Sequence, residues 1–166
     1  ISGRPVVGVV LRPVTAELFW GIVGEGAWLG TKGTKQQVGV SSETNLCRLQ
    51  LVASRSHRDR LVDDVRRRLG ISEESRIGSV GVKVGLLVTR QADVYLEPSA
   101  MTKVWDSCAP EAILHAGGGR MTDLEGAPLR YLPRDVRNWK GIVATNGACH
   151  ERVIAEIAFI VRERSQ

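Results

Sequence analysis

The stretch Val104-Trp105-Asp106-Ser107-Cys108-Ala109-Pro110-Glu111-Ala112-Ile113-Leu114-His115-Ala116-Gly117-Gly118-Gly119 decides the reading of this chain. It follows a β-like run, Ala92-Asp93-Val94-Tyr95-Leu96, and carries small or apolar residues at helical spacing at Cys108, Ala109, Ala112, Ile113 and Ala116. That periodicity predicts a helix with one face docked on a sheet. The helix is expected to start at or near Asp106. Pro110 is tolerated in a first turn, where an N–H has no intrahelical acceptor, and Gly117 to Gly119 supply the stop.

Asp106 has two readings on residue type and position. One is an N-cap, its side-chain oxygen accepting from an amide just inside the helix. The other is a carboxylate held at a rigid helix end for a hard cation such as magnesium, which takes one or two protein carboxylates and leaves phosphate oxygens to complete its shell. The two roles can share the two oxygens, so both stay open.

Outward from this corner, β-like runs over 5–12 and 17–23 flank a turn at 13–16, and 24–39 reads as a Gly- and Lys-rich loop or edge. A second unit starts near Arg48. It runs as a strand over 49–53, a helix over 58–69, a link, a helix near 81–90 and a strand over 92–97. After the Asp106 helix come a turn at Thr122-Asp123 with Gly126, a strand near 141–145 and a closing helix from about 149 to 164. The alternation indicates an α/β layered fold, divided as residues 1–47, strands left from a preceding sheet unit, and residues 48–166, an α/β domain.

The composition is that of a globular chain: 166 residues, 43% hydrophobic. No run approaches a membrane span and no signal-peptide pattern opens the chain, so the cytoplasm is the expected compartment. Cys47, Cys108 and Cys149 lack metal-site spacing and suggest thiols in a reducing environment. The net charge of +5 comes largely from Arg55, Arg58, Arg60, Arg66, Arg67 and Arg68. These lie in or beside a helix with apolar positions Leu61, Val62, Val65 and Leu69, a solvated face with Asp63 and Asp64 in reach of Arg67 and Arg68. Aromatic side chains for base stacking are not interleaved, which argues against a nucleic-acid polymer as partner.

Two further segments suit an anion. Ser54-Arg55-Ser56-His57 sits where a strand gives way to a helix, so amides and short hydroxyls converge there. The bland alternative is capping by Ser54 or Ser56, with His57 a turn residue. Gly78-Ser79-Val80-Gly81-Val82-Lys83 opens the next helix, with Lys83 one turn in among Val84, Leu87 and Val88. Lys83 either snorkels to solvent or joins Ser79 and the backbone amides around a phosphate. His115 and Trp105 read as packed side chains, Cys108 as a small core residue, and His150 as surface near the last helix start.

These segments resemble a known family. Trp105-Asp106 followed by Cys108-Ala109-Pro110-Glu111, Ile113-Leu114-His115-Ala116, Gly118-Gly119, Thr122-Asp123 and Tyr131 resembles the C-terminal signature of the inositol monophosphatase superfamily, most of all its 3′(2′),5′-bisphosphate nucleotidase branch. The Ser54 to His57 and Gly78 to Lys83 segments agree in order and spacing, and Gly24-Glu25-Gly26-Ala27-Trp28 is similar to the family's Gly-x-Gly-Ala turn. The resemblance implies the layered sheet-and-helix sandwich of the sugar and inositol phosphatases and a magnesium cofactor. It implies Asp106 as a metal ligand, and Ser54, His57, Ser79 and Lys83 as contacts to a small phosphorylated nucleotide. It allows a homodimer and needs no membrane.

The family builds most of its metal site from an Asp-Pro-x-Asp-Gly-Thr segment and an earlier Glu pair. That segment does not occur in this chain, and by comparison with the family both should precede Ile1. The expectation is therefore a C-terminal part of a larger enzyme, with its catalytic residues upstream and this part inactive alone. The reaction implied for the whole is hydrolysis of the 3′ phosphate of adenosine 3′,5′-bisphosphate to AMP. An inositol or sugar phosphatase of the same superfamily and a non-catalytic nucleotide-binding module are the competing readings.

Overall fold

In the computed structural model, residues 3–56, 59–131 and 136–164 are described. Four strands, β1 (Val7–Arg12), β2 (Glu17–Ile22), β3 (Gly26–Thr31) and β4 (Thr34–Val38), form an antiparallel meander in sequence order. Strand alternation sends Gly8, Phe19, Gly21, Ala27 and Leu29 to one face, in register across β1 to β3, and leaves Val7, Val9 and Leu11 on the other. The stretch over 24–39, read from sequence as a loop or edge, is thus two strands. Its Gly, Lys and Gln residues dilute the apolar alternation, and only Ala27 and Leu29 of it are fully buried.

The rest alternates in type as expected: β5 (Leu51–Ser54), α1 (Arg60–Leu69), β6 (Glu74–Ile77), α2 (Val80–Val88), β7 (Val94–Glu97), α3 (Val104–Ala116), β8 (Arg120–Thr122), β9 (Ile142–Thr145) and α4 (His150–Arg164). The sheet order is β6-β5-β7-β9-β8, with β6, β5 and β7 parallel and the β9 pairings antiparallel. Every residue of β5, β7 and β9 is buried, because helices cover both faces. On one face Val84, Leu87, Ile113 and Leu114 of α2 and α3 share a core with Phe19 and Leu29 of the meander. On the other, Leu61, Val65, Val153 and Ile157 join α1 and α4 to the sheet. The architecture is an α/β stack of meander, helix pair, five-stranded sheet and helix pair. The link before α2 contains β6, a polar edge strand whose Glu-Ser-Arg pattern hides it from an apolar count.

Close packing of α3 on the meander depends on missing side chains. A Cβ on Gly8 would lie 2.1 Å from the carbonyl oxygen of Ala109, and one on Gly21 would lie 2.8 Å from Cα of Ile113. Both obstacles are helix backbone and cannot rotate away. Gly8→Ala is therefore expected to destabilise the fold by about 2 kcal/mol; an unchanged midpoint in urea unfolding would show that the layers separate freely.

The arginines of α1 form the solvated face expected, and it is ion-paired as well, the Arg67 side chain being 72% exposed. Arg67 bonds to Asp64, Arg68 reaches across to Glu156 of α4 at 2.7 Å rather than to its own helix, and Arg164 bonds to Asp64. His150, read as surface, is fully buried at the first position of α4. Its ring nitrogens meet the hydroxyls of Thr145 at 3.0 Å and Thr122 at 3.1 Å, which is how a polar ring is accommodated there. Burial lowers its pKa to about 4. Among the described residues, no helix is long and apolar enough to cross a membrane.

Candidate active site

The parallel strands end together, Ser54 pairing in register with Ile77, so Ser54, the Gly78-Ser79 entry to α2 and Glu97 share one edge of the sheet. That edge, outside the carboxyl ends of parallel strands, is where α/β sheets bind ligands. Ser79 is the N-cap of α2, its Oγ accepting from the Val82 amide at 3.4 Å. The first-turn amides of α2 and the positive end of its dipole face the same side.

Asp106 faces this edge from α3, but not as the N-cap. The helix starts two residues earlier than the sequence suggested, with Lys103 as N-cap and Asp106 at the third helical position. Its Oδ2 accepts from the Lys103 amide at 2.8 Å, a reach-back that fixes the carboxylate with one oxygen. Pro110 accordingly sits inside the helix, not in its first turn, and withholds the i+4 donor that the Asp106 carbonyl would otherwise receive. Trp105, expected to pack under the site, is 61% exposed because the second helical position points away from the core; its ring lies beneath the Lys103 ammonium at 5.2 Å.

Val10, Ser79, Gly81, Thr102 and Asp106 are among the residues lining a cleft of about 400 Å³ between the start of α2 and the start of α3. Two of the residues singled out from sequence, Ser79 and Asp106, are therefore brought together. Ser54 is buried at the neighbouring strand end. Lys83 does not line the cleft: it is 1% exposed, one turn deeper in α2, with Nζ 4.5 Å from the centre of the Tyr95 ring. It does not snorkel, and burial lowers its pKa to about 8 against the opposing charge of Glu97. His57 lies outside the described residues.

Sequence reasoning passed over Tyr95, Glu97 and Glu111. Glu97 is buried at the end of β7, and its Oε1 accepts from the Ser99 amide at 3.2 Å and the Ser99 hydroxyl at 2.7 Å, which ties down the loop leading to Thr102. The signal was a carboxylate closing an apolar strand, two residues after Tyr95 and so on its face. Glu111 is buried in α3 and hydrogen-bonded by the Tyr131 hydroxyl; burial raises its pKa to about 7. His115 packs as expected, its Nε2 accepting from the Met121 amide at 3.4 Å, and burial raises the pKa of the Cys108 thiol, which disfavours a nucleophile.

The profile of the inositol monophosphatase family matches residues 1–162. The chain belongs to the inositol monophosphatase family. Human 3′(2′),5′-bisphosphate nucleotidase 1 is 33% identical over 156 residues, 87% of this chain and 47% of that protein. The 3′(2′),5′-bisphosphate nucleotidase of Escherichia coli is 34% identical over 133 residues, 80% of this chain and 52% of its own length. Inositol monophosphatase 3 of Xenopus laevis is 32% identical over 165 residues, 95% of this chain and 44% of that protein. The chain thus spans about half the length of the curated relatives it matches. Among solved structures, the inositol monophosphatase of Anabaena superposes with a TM-score of 0.76 at 24% identity, covering 95% of this chain and 63% of its own. The Thermotoga maritima enzyme gives 0.77 at 20% identity, covering 97% and 59%. These establish the fold.

The family is generally metal-dependent, and the donors at this site suit a hard divalent cation in part. Asp106 fits: a hard oxygen donor, oriented through Oδ2 and with no hydrogen-bond partner on Oδ1 among the described residues. It fits as one ligand only, since among the described residues no three His, Cys, Asp or Glu side chains cluster as a metal cage.

Proposed function

We propose that the full-length protein is a magnesium-dependent phosphatase that hydrolyses the 3′ phosphate of adenosine 3′,5′-bisphosphate to AMP and phosphate. The observation that supports this best is the cleft that sets the Asp106 carboxylate against the N-terminus of α2, a cation ligand facing an anion seat. In this reading, Asp106 helps hold magnesium, which when bound supplies positive charge against the departing phosphate and acidifies the attacking water. The Lys103 amide keeps the carboxylate aimed. The Ser79 hydroxyl and the first amides of α2 bind the phosphate that the nucleotide retains, and Lys83 adds positive charge beneath it. Ser54 and His57 complete the nucleotide contacts. The residues that position the attacking water belong to the part of the relatives that this chain does not span.

The similarity to inositol monophosphatase 3 supports a second reading, hydrolysis of an inositol phosphate, with the same role for Asp106. Phosphate release from adenosine 3′,5′-bisphosphate and from inositol 1-phosphate, measured side by side on the full-length protein with magnesium, separates the two. The nucleotide is expected to turn over faster. Hydrolysis of the inositol phosphate alone would replace the first reading by the second, and binding of AMP without any hydrolysis would leave a nucleotide-binding module. Lys83→Ala is expected to weaken AMP binding about tenfold in calorimetry, as loss of a positive charge beneath the phosphate does. Unchanged affinity removes Lys83 from the site.

A further inference from the structure

Beside the catalytic cleft, residues 102–104 and 136–138 form a short antiparallel ribbon. The Val104 amide donates to the Val136 carbonyl at 2.8 Å and the Asn138 amide to the Thr102 carbonyl at 3.1 Å. Alternation along the ribbon divides its side chains. Thr102 and Asn138 turn inward, Asn138 Nδ2 donating to Thr102 Oγ1 at 3.2 Å and to Ser107 Oγ at 3.3 Å. Lys103 and Arg137 are left directly opposite each other. They share no backbone bond, which is the pairing that brings cross-strand side chains closest, and like charges placed so are destabilising. The fold gains nothing from that juxtaposition by itself.

The ribbon also borders a second cavity, of about 370 Å³, lined in part by Asp123, Arg130, Arg137, Trp139 and Lys140. Asp123 spends its charge on a turn, its Oδ1 accepting from the Glu125 amide at 2.9 Å and the Ala127 amide at 2.8 Å. Lys140 is paired with Glu125. Arg130 and Arg137 are exposed, and the Arg137 guanidinium lies over the Trp139 ring, 5.0 Å from its centre. Trp139 is itself 58% exposed. A guanidinium fork matches a phosphate, and an indole face takes a base whatever its identity. We propose that this cavity is a second ligand site of the protein, for a nucleoside monophosphate: Arg130 and Arg137 take the phosphate monoester, and Trp139 takes the base on the ring face away from Arg137. Two guanidinium charges match a phosphate monoester, which carries about −1.5 to −2 at neutral pH, better than the single charge of an internal phosphodiester. Bound phosphate also offsets the repulsion between Arg137 and Lys103. The site is joined to the catalytic cleft through the contact of Asn138 with Thr102, and it does not depend on which substrate is hydrolysed there.

Fluorine NMR of the full-length protein carrying fluorotryptophan, titrated with AMP, tests the site. The Trp105 and Trp139 resonances are identified by their loss in Trp105→Phe and Trp139→Phe. The Trp139 resonance is expected to shift to saturation with AMP, while adenosine and inorganic phosphate, each offering part of the ligand, move it only at concentrations about tenfold higher or more. Arg130→Ser and Arg137→Ser are each expected to weaken the AMP response of Trp139 about tenfold, as loss of a hydrogen bond to a charged group does, and Arg137→Lys to recover part of it. Trp105 lines the catalytic cleft and reports on that site. If AMP moves Trp105 and leaves Trp139 in place, the nucleotide reading stands and this proposal falls. If Trp139 responds in both arginine variants as it does in the parent, the cavity is not a phosphate seat and the proposal falls as well. A Trp139 shift that depends on the arginines, with Trp105 unmoved, supports the second site and tells against the nucleotide reading of the cleft.

Discussion

Asparagine at position 106 is expected to cut phosphate release by the full-length protein about 10³-fold while leaving its stability close to that of the parent. The reason is a division of labour between the two carboxylate oxygens. Oδ2 accepts from the Lys103 amide and closes the first turn of α3. An asparagine carbonyl oxygen can do the same, but it lacks the negative charge that attracts a hard cation, so the turn survives and the cation ligand is lost. Alanine removes both. Asp106→Ala is therefore expected to be as inactive as Asp106→Asn and less stable by about 1 kcal/mol. Measured together, phosphate release and urea unfolding of the two variants separate the cap from the cation ligand. Full activity in Asp106→Asn would reduce the residue to a cap and remove the metal from this corner.

The corner was legible in sequence because its features are local: an apolar period of helical type, a carboxylate near the helix start and a glycine stop. What sequence left open there was the exact role, since one carboxylate at a helix start reads as a cap or as a ligand until the N-cap is located. The structure moves the helix start to Val104 and makes Asp106 a reach-back acceptor with an oxygen to spare. Depth was illegible for a different reason. Periodicity assigns Lys83 to a face of α2, but its burial depends on Tyr95, twelve residues away on another element. His150 is the same case, because the hydroxyls that make its burial tolerable come from β8 and β9. Strands β3, β4 and β6 were weak in sequence because their stability comes from pairing rather than from apolar content.

Two of these hidden groups give the fold an unusual response to acid. His150 titrates near 4 when folded against 6.5 in the open chain, and burial is the main cause. Between those values the unfolded state binds the extra proton, so this group's contribution to stability is present above pH 6.5 and is lost as pH falls to 4. Glu111 is shifted the other way, from 4.5 to about 7, again chiefly by burial. Between those values the folded state binds the extra proton, so its contribution is present below pH 4.5 and is lost as pH rises to 7. Each group contributes a slope of about 1.4 kcal/mol per pH unit over its window, about 3 kcal/mol in total, with opposite signs. From pH 4.5 to 6.5 the two slopes oppose each other and the parent profile is expected to be nearly flat.

Single substitutions uncover what the pair conceals. Glu111→Gln keeps an acceptor for the Tyr131 hydroxyl and removes the carboxyl titration. Its stability is expected to rise with pH between 4.5 and 6.5, relative to the parent, by about 1.4 kcal/mol per unit. His150→Gln is expected to fall with pH over the same interval by a similar amount. His115, whose pKa burial also lowers, tilts every profile in the His150 direction, and because its Nε2 lies 3.8 Å from Glu111 Oε1 the slopes are compared in a His115→Gln background. Urea unfolding at four or five pH values measures these slopes, and the constant loss from each substitution does not enter them. A Glu111→Gln profile parallel to the parent's would mean that Glu111 ionises in the folded chain as it does in water, and that α3 carries a buried charge at neutral pH.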